Sequence, residues 1–395
     1  QYRLLAVGGL GNGLLTNERP ATDRESWAPQ RRLIQPMFAK RHLGRLAEHM
    51  TAGIADFVEE WEHRRDGERV DVAAAMNALA LDVVGRALFG AKLAGEATRL
   101  RPAVLVGLRS GIVAARLQLV AGAPRWIVDL GAWLLFHLPL LPRSLRRLRN
   151  GLKTIGEVVE GLITSRERDP EADPGDLLGL LLAARDEDGR AMSRGQVKDE
   201  LVTFMLAGHE TTANGLAWMW YLLCQNTEAR DRLLAEVDTV LGGRAPTAAD
   251  ADQLKWTAAC FQEALRLRSP VWMLEREAVA DDEIDGHRIP AGATILVPVH
   301  LVHHDARLWP DPERFDPQRF LPDRVHDHPR GAYMPFGAGR RVCIGAGFSI
   351  LEATLITAMI AQRFTLDLAP DARVALETTI TLRPRHGLPM TVHRR

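Results

Sequence analysis

The residues whose types and spacing point most clearly to a chemical function surround Cys343, in segment 336–347. Glycines at positions 337, 339 and 345 allow the chain to curl around the sulfur, so that backbone N–H groups can point at it. An apolar helix predicted to begin near Ala346 would direct its positive end toward a thiolate. A lone cysteine is most often a small buried hydrophobic residue. The spacing Phe-x-x-Gly-x-Arg-x-Cys-x-Gly instead favours a metal-ligating thiolate.

A second polar segment, Ala207-Gly208-His209-Glu210-Thr211-Thr212, lies near the middle of a long predicted helix. Threonine hydroxyls inside a helix can bond to backbone carbonyls and bend it locally. A glutamate beside a hydroxyl in an apolar core is costly unless it has a partner or handles protons. A hydrogen-bonded polar kink without a chemical role is the alternative. A zinc-protease helix is excluded, because Ala213 stands where the second histidine is needed.

Two further sets of residues are candidates for buried polar contacts. Trp27 and Arg31 are four residues apart on a predicted helix and share a face, either as an ordinary surface pair or directed at an acidic group of a cofactor. Glu263 and Arg266 lie one turn apart between apolar neighbours, where a buried ion pair needs a further partner. Arg319 is our candidate for that partner.

The composition is that of an ordinary globular protein. The 395 residues are 46% hydrophobic and 25% charged, and 50 basic residues balance 50 acidic ones, which gives no support for nucleic-acid binding. Three cysteines without C-x-x-C spacing favour a reducing, cytoplasmic location. The longest apolar run, 126–141, is interrupted by Asp129 and His137 and is shorter than the roughly 20 residues of a membrane span. No integral membrane segment is therefore expected.

Helical periodicity dominates the chain, which predicts a single domain over 1–395 that is mainly α with small β-sheets. Ser193 and Gln196 form a capping box that opens a helix of roughly thirty residues, apolar on nearly all sides and therefore central. Asp71 is predicted to cap the helix after a strand at 68–72. Two or three helices are predicted within 98–165, a two-stranded hairpin over 284–297, and a strand pair ending at Val392.

In their order along the chain, these segments resemble the cytochrome P-450 family. Segment 336–347 resembles its haem-thiolate loop, 207–212 its oxygen-activating segment, and the Trp27 helix its propionate-binding helix. Glu263, Arg266 and Arg319 resemble its structural triad. The resemblance implies the P-450 fold, with a long central helix over a haem b. It also implies a monooxygenase that inserts one atom of O2 into a C–H bond of a lipophilic molecule such as a fatty acid or terpenoid.

The resemblance also assigns individual roles. Cys343 would ligate the iron and favour O–O cleavage, while Glu210 and Thr211 would relay protons for oxygen activation. The cofactor contacts that it implies are Trp27, Arg31, Ala207, Arg276, Phe336, Arg341, Cys343 and Gly345. The residues expected to border an apolar substrate pocket are Phe204, Val271, Trp272, Met273 and Leu274.

Electrons, ultimately from NAD(P)H, would come from a separate ferredoxin- or flavodoxin-type donor, since no flavin or iron–sulfur domain is recognised in the sequence. A peroxygenase of the same fold and a non-catalytic haem sensor or carrier are the alternatives. The Glu210–Thr211 pair argues against a peroxygenase, which needs no such relay. Family members usually begin with a β-rich lobe that this sequence is expected to lack. Its loss would expose an edge of the 284–297 hairpin.

Overall fold

The fold was analysed in a computed structural model that describes residues 11–17, 26–90, 142–169 and 175–395. Most of the segment predicted to hold two or three helices, 98–165, lies outside these residues, and its described end is helical. The helices are α1 (Trp27–Ile34), α2 (Lys40–Glu62), α3 (Val72–Phe89), α4 (Arg143–Arg168), α5 (Leu177–Ala183), α6 (Arg194–Gln225), α7 (Thr227–Leu241), α8 (Ala248–Ala251), α9 (Lys255–Leu267), α10 (Val299–His303) and α11 (Ala346–Ala361). The strands are β1 (Glu68–Asp71), β2 (Leu274–Glu277), β3 (Asp282–Ile284), β4 (His287–Ile289), β5 (Thr294–Val297), β6 (Phe364–Leu368), β7 (Leu376–Thr378), β8 (Leu382–Pro384) and β9 (Pro389–Arg394).

The long helix α6 lies at the centre of the protein, as its sequence predicts. The Ser193 hydroxyl accepts the Gln196 N–H at 3.2 Å, and the Gln196 side chain accepts the Ser193 N–H at 3.0 Å, which completes the predicted capping box. Helices α3, α4, α5, α7, α9 and α11 all contact α6. The hydrophobic core is therefore built around this one helix.

The apolar helix α3 packs against α6 and α2. The Asp71 carboxylate accepts the Ala73 and Ala74 N–H groups at its start, which confirms the predicted cap. Among the described residues, α3 is the one helix whose length and apolarity would suffice to cross a membrane. In the fold, 61% of it is buried inside the protein, as in the core helix of a globular domain.

The C-terminal strands form two antiparallel sheets. Strand β9 pairs with β6 on one side, so the predicted final strand pair is confirmed, and with β1 on the other. This sheet therefore joins the end of the chain to the segment between α2 and α3. Strands β7 and β8 pair separately and form the C-terminal hairpin, residues 376–384.

The predicted two-stranded hairpin over 284–297 is wrong in its pairing. Strand β4 pairs with β3 through a tight turn in which Asp285 and Gly286 have positive φ angles of 51° and 79°. Strand β5 pairs instead with β2, where Leu274 lies opposite Val297. The Asp-Gly turn closes a hairpin too short to include β5, and the alternating pattern of a strand does not identify its partner.

Glu200 ties the loop formed by residues 11–17 to the central helix. Both oxygens of its carboxylate accept the Leu14 N–H at 3.1 Å, and the neighbouring Asp199 accepts the Asn12 N–H at 2.7 Å. The side chain of Glu200 is fully buried. The pKa of Glu200 is raised to about 8, chiefly by burial and also by the charge of Asp199, although the Leu14 N–H and Gln30 act to lower it.

We expect Glu200→Gln to remove a pH dependence from the stability. Between the usual glutamate pKa of 4.5 and the folded-state pKa of about 8, the unfolded chain releases this proton and the folded protein keeps it. The free energy of unfolding of the wild type therefore falls with rising pH by up to about 1.4 kcal/mol per pH unit, and this contribution is fully present only below the unfolded-state pKa.

Urea unfolding between pH 5 and pH 8 measures this effect. The loss of stability should be smaller in Glu200→Gln than in the wild type. Glu59→Gln, on the exposed side of α2, is the control and should follow the wild type. Parallel profiles for Glu200→Gln and the wild type would contradict the assignment.

Candidate active site

The loop that carries Cys343 folds back on itself at two glycines. Gly337 and Gly339 have positive φ angles of 75° and 72°, a conformation that side chains disfavour. The Cys343 N–H donates to the Phe336 carbonyl at 2.9 Å and closes the loop. Gly345 is the last residue before α11, and its backbone N–H is directed at the cysteine sulfur. The tight path and the helix predicted after it are both present.

The ionisation of Cys343 is set by opposing effects. Burial raises the pKa of its thiol above the usual 9.0, although the Gly345 N–H and the charge of Arg31 lower it. By accessible surface the side chain is nonetheless exposed, so the sulfur can be reached from outside although protein atoms lie close to it. The single N–H and the helix N-terminus therefore do not by themselves produce a thiolate. A metal cation bound at the sulfur would supply the missing positive charge.

Two arginines and a tryptophan lie beside the cysteine loop. The Arg341 guanidinium stacks on the Trp27 ring, 4.1 Å from its centroid. Arg31 Nη1 donates to the Val342 carbonyl at 3.0 Å, directly before Cys343. Arg341 Nη1 also lies 3.5 Å from the Leu14 carbonyl, in the loop that Glu200 holds. Arg31 of α1 and Arg341, which stacks on Trp27 of α1, thus place two cations beside the cysteine loop, where they can bind acidic groups of a ligand.

One stripe of the central helix is accessible. Between Glu200 and Trp220, every residue is buried except four, which recur at the spacing of one helix face. These four are Phe204, Ala207, Gly208 and Thr211. Two of them are small, so a flat ligand could lie close to the backbone there. Thr212, the neighbour of Thr211, contacts Ser349 Oγ at 3.0 Å on α11, the helix that begins after the cysteine loop.

Thr211 and Glu210 have different surroundings although they are adjacent. The Thr211 hydroxyl donates to the Ala207 carbonyl at 2.8 Å, the local bond expected of a helical threonine. Glu210 is buried, and its Oε1 accepts the Thr381 hydroxyl at 3.0 Å. Burial raises the pKa of Glu210, while Thr381 and the charge of Arg383 oppose this. The predicted acid therefore has partners on the C-terminal hairpin.

The turn predicted to border a pocket leads into β2 and is half-buried throughout. Trp272 Nε1 donates to the Thr379 carbonyl at 3.0 Å, which fixes this turn to the C-terminal hairpin. Leu274 lies next to the cysteine loop, since a Cβ on Gly337 would lie 3.7 Å from its Cδ1. Arg276 follows two residues later on the same face of β2 and donates to the Glu275 carbonyl at 2.8 Å. The remaining predicted pocket residues, Val271 and Met273, belong to this turn.

Glu263, Arg266 and Arg319 come together as predicted, away from solvent. Arg266 donates twice to the Glu263 carboxylate, at 2.7 and 2.8 Å, and both side chains are fully buried. Arg319 Nε lies 3.6 Å from Glu263 Oε1. Arg266 also donates to the carbonyls of His303, Pro312 and Arg314. The cluster therefore anchors the irregular segment before the cysteine loop to α9.

His303 extends this anchor toward the cysteine, a role that the sequence did not reveal. Its Nδ1 contacts the Arg266 carbonyl at 3.1 Å, and its Nε2 accepts the Met334 N–H at 2.9 Å. Burial lowers the pKa of His303 to about 3, so the ring stays neutral and can accept this bond. Met334 lies two residues before Phe336. His303 and His304 are adjacent, and the sequence does not indicate which of them is buried.

The donor set fits a metal that brings most of its own ligands. In the described part of the chain, no group of three His, Cys, Asp or Glu residues could hold a bare ion. Cys343 offers one sulfur ligand, the two arginines suit carboxylate groups, and the accessible stripe of α6 suits a flat apolar body. An iron porphyrin combines these three properties.

Comparison with known proteins agrees with this geometry. The sequence profile of the family described as Cytochrome P-450 matches residues 11–388. A Mycobacterium tuberculosis protein named cytochrome P-450 132 is 44% identical over 98% of this chain and 81% of its own length. Pentalenene oxygenase of Streptomyces avermitilis is 35% identical over 92% of this chain and 76% of its own length.

A solved structure shares the fold. The crystal structure of the cytochrome P450DA heme domain superposes with a TM-score of 0.85 at 27% identity, over 100% of this chain and 82% of that one. The chain therefore belongs to the cytochrome P-450 family, and it is a P-450 monooxygenase, a haem-dependent enzyme that uses O2.

Proposed function

We propose that this monooxygenase hydroxylates a terpenoid or a similarly lipophilic small molecule, with a fatty acid as the other candidate substrate class. The observation that carries the proposal is the accessible stripe of α6, in which Phe204 and Ala207 offer apolar surface beside Thr211. Phe204 is held in place by an edge-to-face contact with Phe38, at a centroid distance of 5.4 Å. Relatives named for the oxygenation of pentalenene and of cyclooctat-9-en-7-ol support a terpenoid-like substrate.

Haem b, when bound, supplies the iron chemistry that activates O2. Cys343 would be its protein ligand, and Gly345 would keep the sulfur hydrogen-bonded. Trp27, Arg31, Arg276 and Arg341 would hold the propionates. Phe336 would pack against the cysteine side of the ring and Ala207 against the opposite side. Glu263, Arg266 and Arg319 would act through the loop that they anchor, without touching the cofactor.

Protons would be handled by Glu210 and Thr211. Because burial raises the pKa of Glu210, its carboxyl keeps a proton to higher pH than an exposed glutamate does. The Thr211 hydroxyl already donates its hydrogen to Ala207, so its oxygen is free to accept a hydrogen bond from a water or a protonated ligand. The two residues together can move a proton from a buried acid to the accessible stripe.

The source of electrons and the cellular setting complete the proposal. A separate ferredoxin- or flavodoxin-type protein would deliver two electrons that derive from NAD(P)H. Arg340 is exposed on the cysteine loop and gives this side a positive charge that would suit an acidic donor. We place the enzyme in the cytoplasm, because its three described cysteines are unpaired and fit a reducing compartment. We also propose a single domain over 1–395, since the described helices pack around the one central helix α6.

We expect Cys343→Ala to abolish the thiolate signature of the haem. The reduced wild-type protein with carbon monoxide should show the red-shifted Soret band of a thiolate-ligated haem, because the sulfur donates electron density to the iron. Cys224→Ala is the matched control and should keep the band, since Cys224 lies at the end of α6. An unshifted band in folded wild-type protein would contradict the assignment of Cys343.

Thr211→Ala should uncouple oxygen consumption from product formation several-fold, because the hydroxyl that receives protons is lost. The measurement compares product formed with NADPH and O2 consumed in the reconstituted system. Thr212→Ala is the control on the adjacent position and should stay coupled, because Thr212 faces α11. Equal coupling in Thr211→Ala and the wild type would remove Thr211 from the proton relay.

The substrate class can be tested by ligand-induced changes in the haem spin state. Terpene hydrocarbons and terpene alcohols should give a low- to high-spin shift at lower concentration than fatty acids of equal carbon number. Tighter binding of the fatty acids would overturn the terpenoid assignment.

Product formation with peroxide alone, and none with O2 and electron donors, would indicate a peroxygenase instead.

A further inference from the structure

One face of the central helix is joined to the C-terminal hairpin by side-chain hydrogen bonds. Glu210 Oε1 accepts the Thr381 hydroxyl at 3.0 Å, and Asn214 Nδ2 donates to Thr381 Oγ1 at 3.2 Å. One turn further on, Trp218 Nε1 donates to the Leu382 carbonyl at 3.2 Å. Residues 210, 214 and 218 are spaced by four, so they form a single stripe. The hairpin is thus attached to α6 along two turns.

The direction of these bonds is fixed by chemistry. An amide NH2 group can only donate, so Asn214 uses Thr381 Oγ1 as an acceptor. The single hydroxyl hydrogen of Thr381 is then available for Glu210 Oε1. A hydroxyl donor favours the ionised carboxylate, which burial disfavours. Thr381 therefore helps Glu210 to lose and regain a proton, while Asn214 keeps the Thr381 hydroxyl hydrogen directed at the Glu210 carboxylate.

The same hairpin also contacts the turn before β2. The Leu382 N–H donates to the Pro270 carbonyl at 2.9 Å, and Trp272 Nε1 donates to the Thr379 carbonyl at 3.0 Å. The loop of residues 379–381 therefore lies between the buried acid and the turn proposed to border the substrate. Between its two threonines, Ile380 is 37% exposed. A displacement of the turn would be transmitted to Thr381 through this loop.

We propose that Thr381, oriented by Asn214, is a positioning residue for proton delivery by Glu210, and that the C-terminal hairpin links the turn at 270–272 to this acid. The inference rests on the proposed role of Glu210. A substrate that does not displace the hairpin leaves the Thr381 hydroxyl bonded to the Glu210 carboxylate. Glu210 can then deliver protons at the rate at which electrons arrive. A substrate that displaces it leaves Glu210 without its donor, and O2 that has taken up two electrons then leaves with two protons from solvent as hydrogen peroxide, in place of product.

Thr381→Val tests the proposal, since valine keeps the shape of threonine and removes the hydroxyl. The fraction of electrons that appear in product should fall several-fold, with the carbon monoxide spectrum and the substrate Kd unchanged. Thr381→Ser should restore coupling, because serine retains the donor. Thr378→Val is the matched control on the same hairpin and should behave as the wild type, because Thr378 is exposed. Full coupling in Thr381→Val, or no rescue by serine, would overturn the proposal.

Two further variants separate this inference from the proposed function. Glu210→Gln with wild-type coupling would remove Glu210 from proton delivery, and the role of Thr381 with it. Uncoupling in Glu210→Gln but not in Thr381→Val would overturn the role of the hairpin alone. If Thr381→Val fails to bind haem, coupling is measured in Asn214→Ala instead. This variant keeps the Thr381 hydroxyl but removes the amide group that orients it. Uncoupling in Asn214→Ala supports the proposal, and full coupling there overturns it.

Discussion

The close approach of neighbouring helices to α6 is the constraint on which the site depends. A Cβ on Gly215 would lie 2.8 Å from Phe261 of α9, and one on Gly208 would lie 3.4 Å from Val84 of α3. A residue larger than glycine at position 215 would push α9 outward, because a packed core has no room for extra methyl groups, whereas 3.4 Å at Gly208 is an ordinary contact. Helix α9 carries the ion pair that anchors the segment before the cysteine loop. The position of this segment therefore depends on the close packing of α9 against Gly215.

Three buried glutamates fix the elements around this core. Glu200 holds the loop at 11–17, Glu210 holds the C-terminal hairpin, and Glu263 holds the irregular segment through Arg266 and the Asp316 N–H. A fourth buried glutamate, Glu352 of α11, lies near Thr212 of α6, although neither of its carboxylate oxygens has a hydrogen-bond partner among the residues that the structure describes. Burial raises the pKa of all four carboxyl groups. A buried carboxyl is costly without donors, so each of the first three favours the single arrangement in which its donors are in place.

In the proposed mechanism, metal binding and proton handling depend on different elements. Burial raises the pKa of the Cys343 thiol, so a cation bound at the sulfur would favour its deprotonation. Glu210 lies on α6 and is hydrogen-bonded to the C-terminal hairpin. Changes near the substrate would therefore alter proton delivery without altering the sulfur ligand.

The sequence by itself determined the features that depend on short spacing. The capping box at Ser193, the cap at Asp71, the buried length of α6 and the glycine turns around Cys343 are all local, because their partners lie within a few residues. The tertiary structure alone decided the pairing of β5 with β2, the bond of His303 to Met334 and the bond of Thr381 to Glu210. These partners are far apart along the chain, and nothing in a local pattern of polar and apolar residues specifies which distant group will meet them. Packing in three dimensions made that choice.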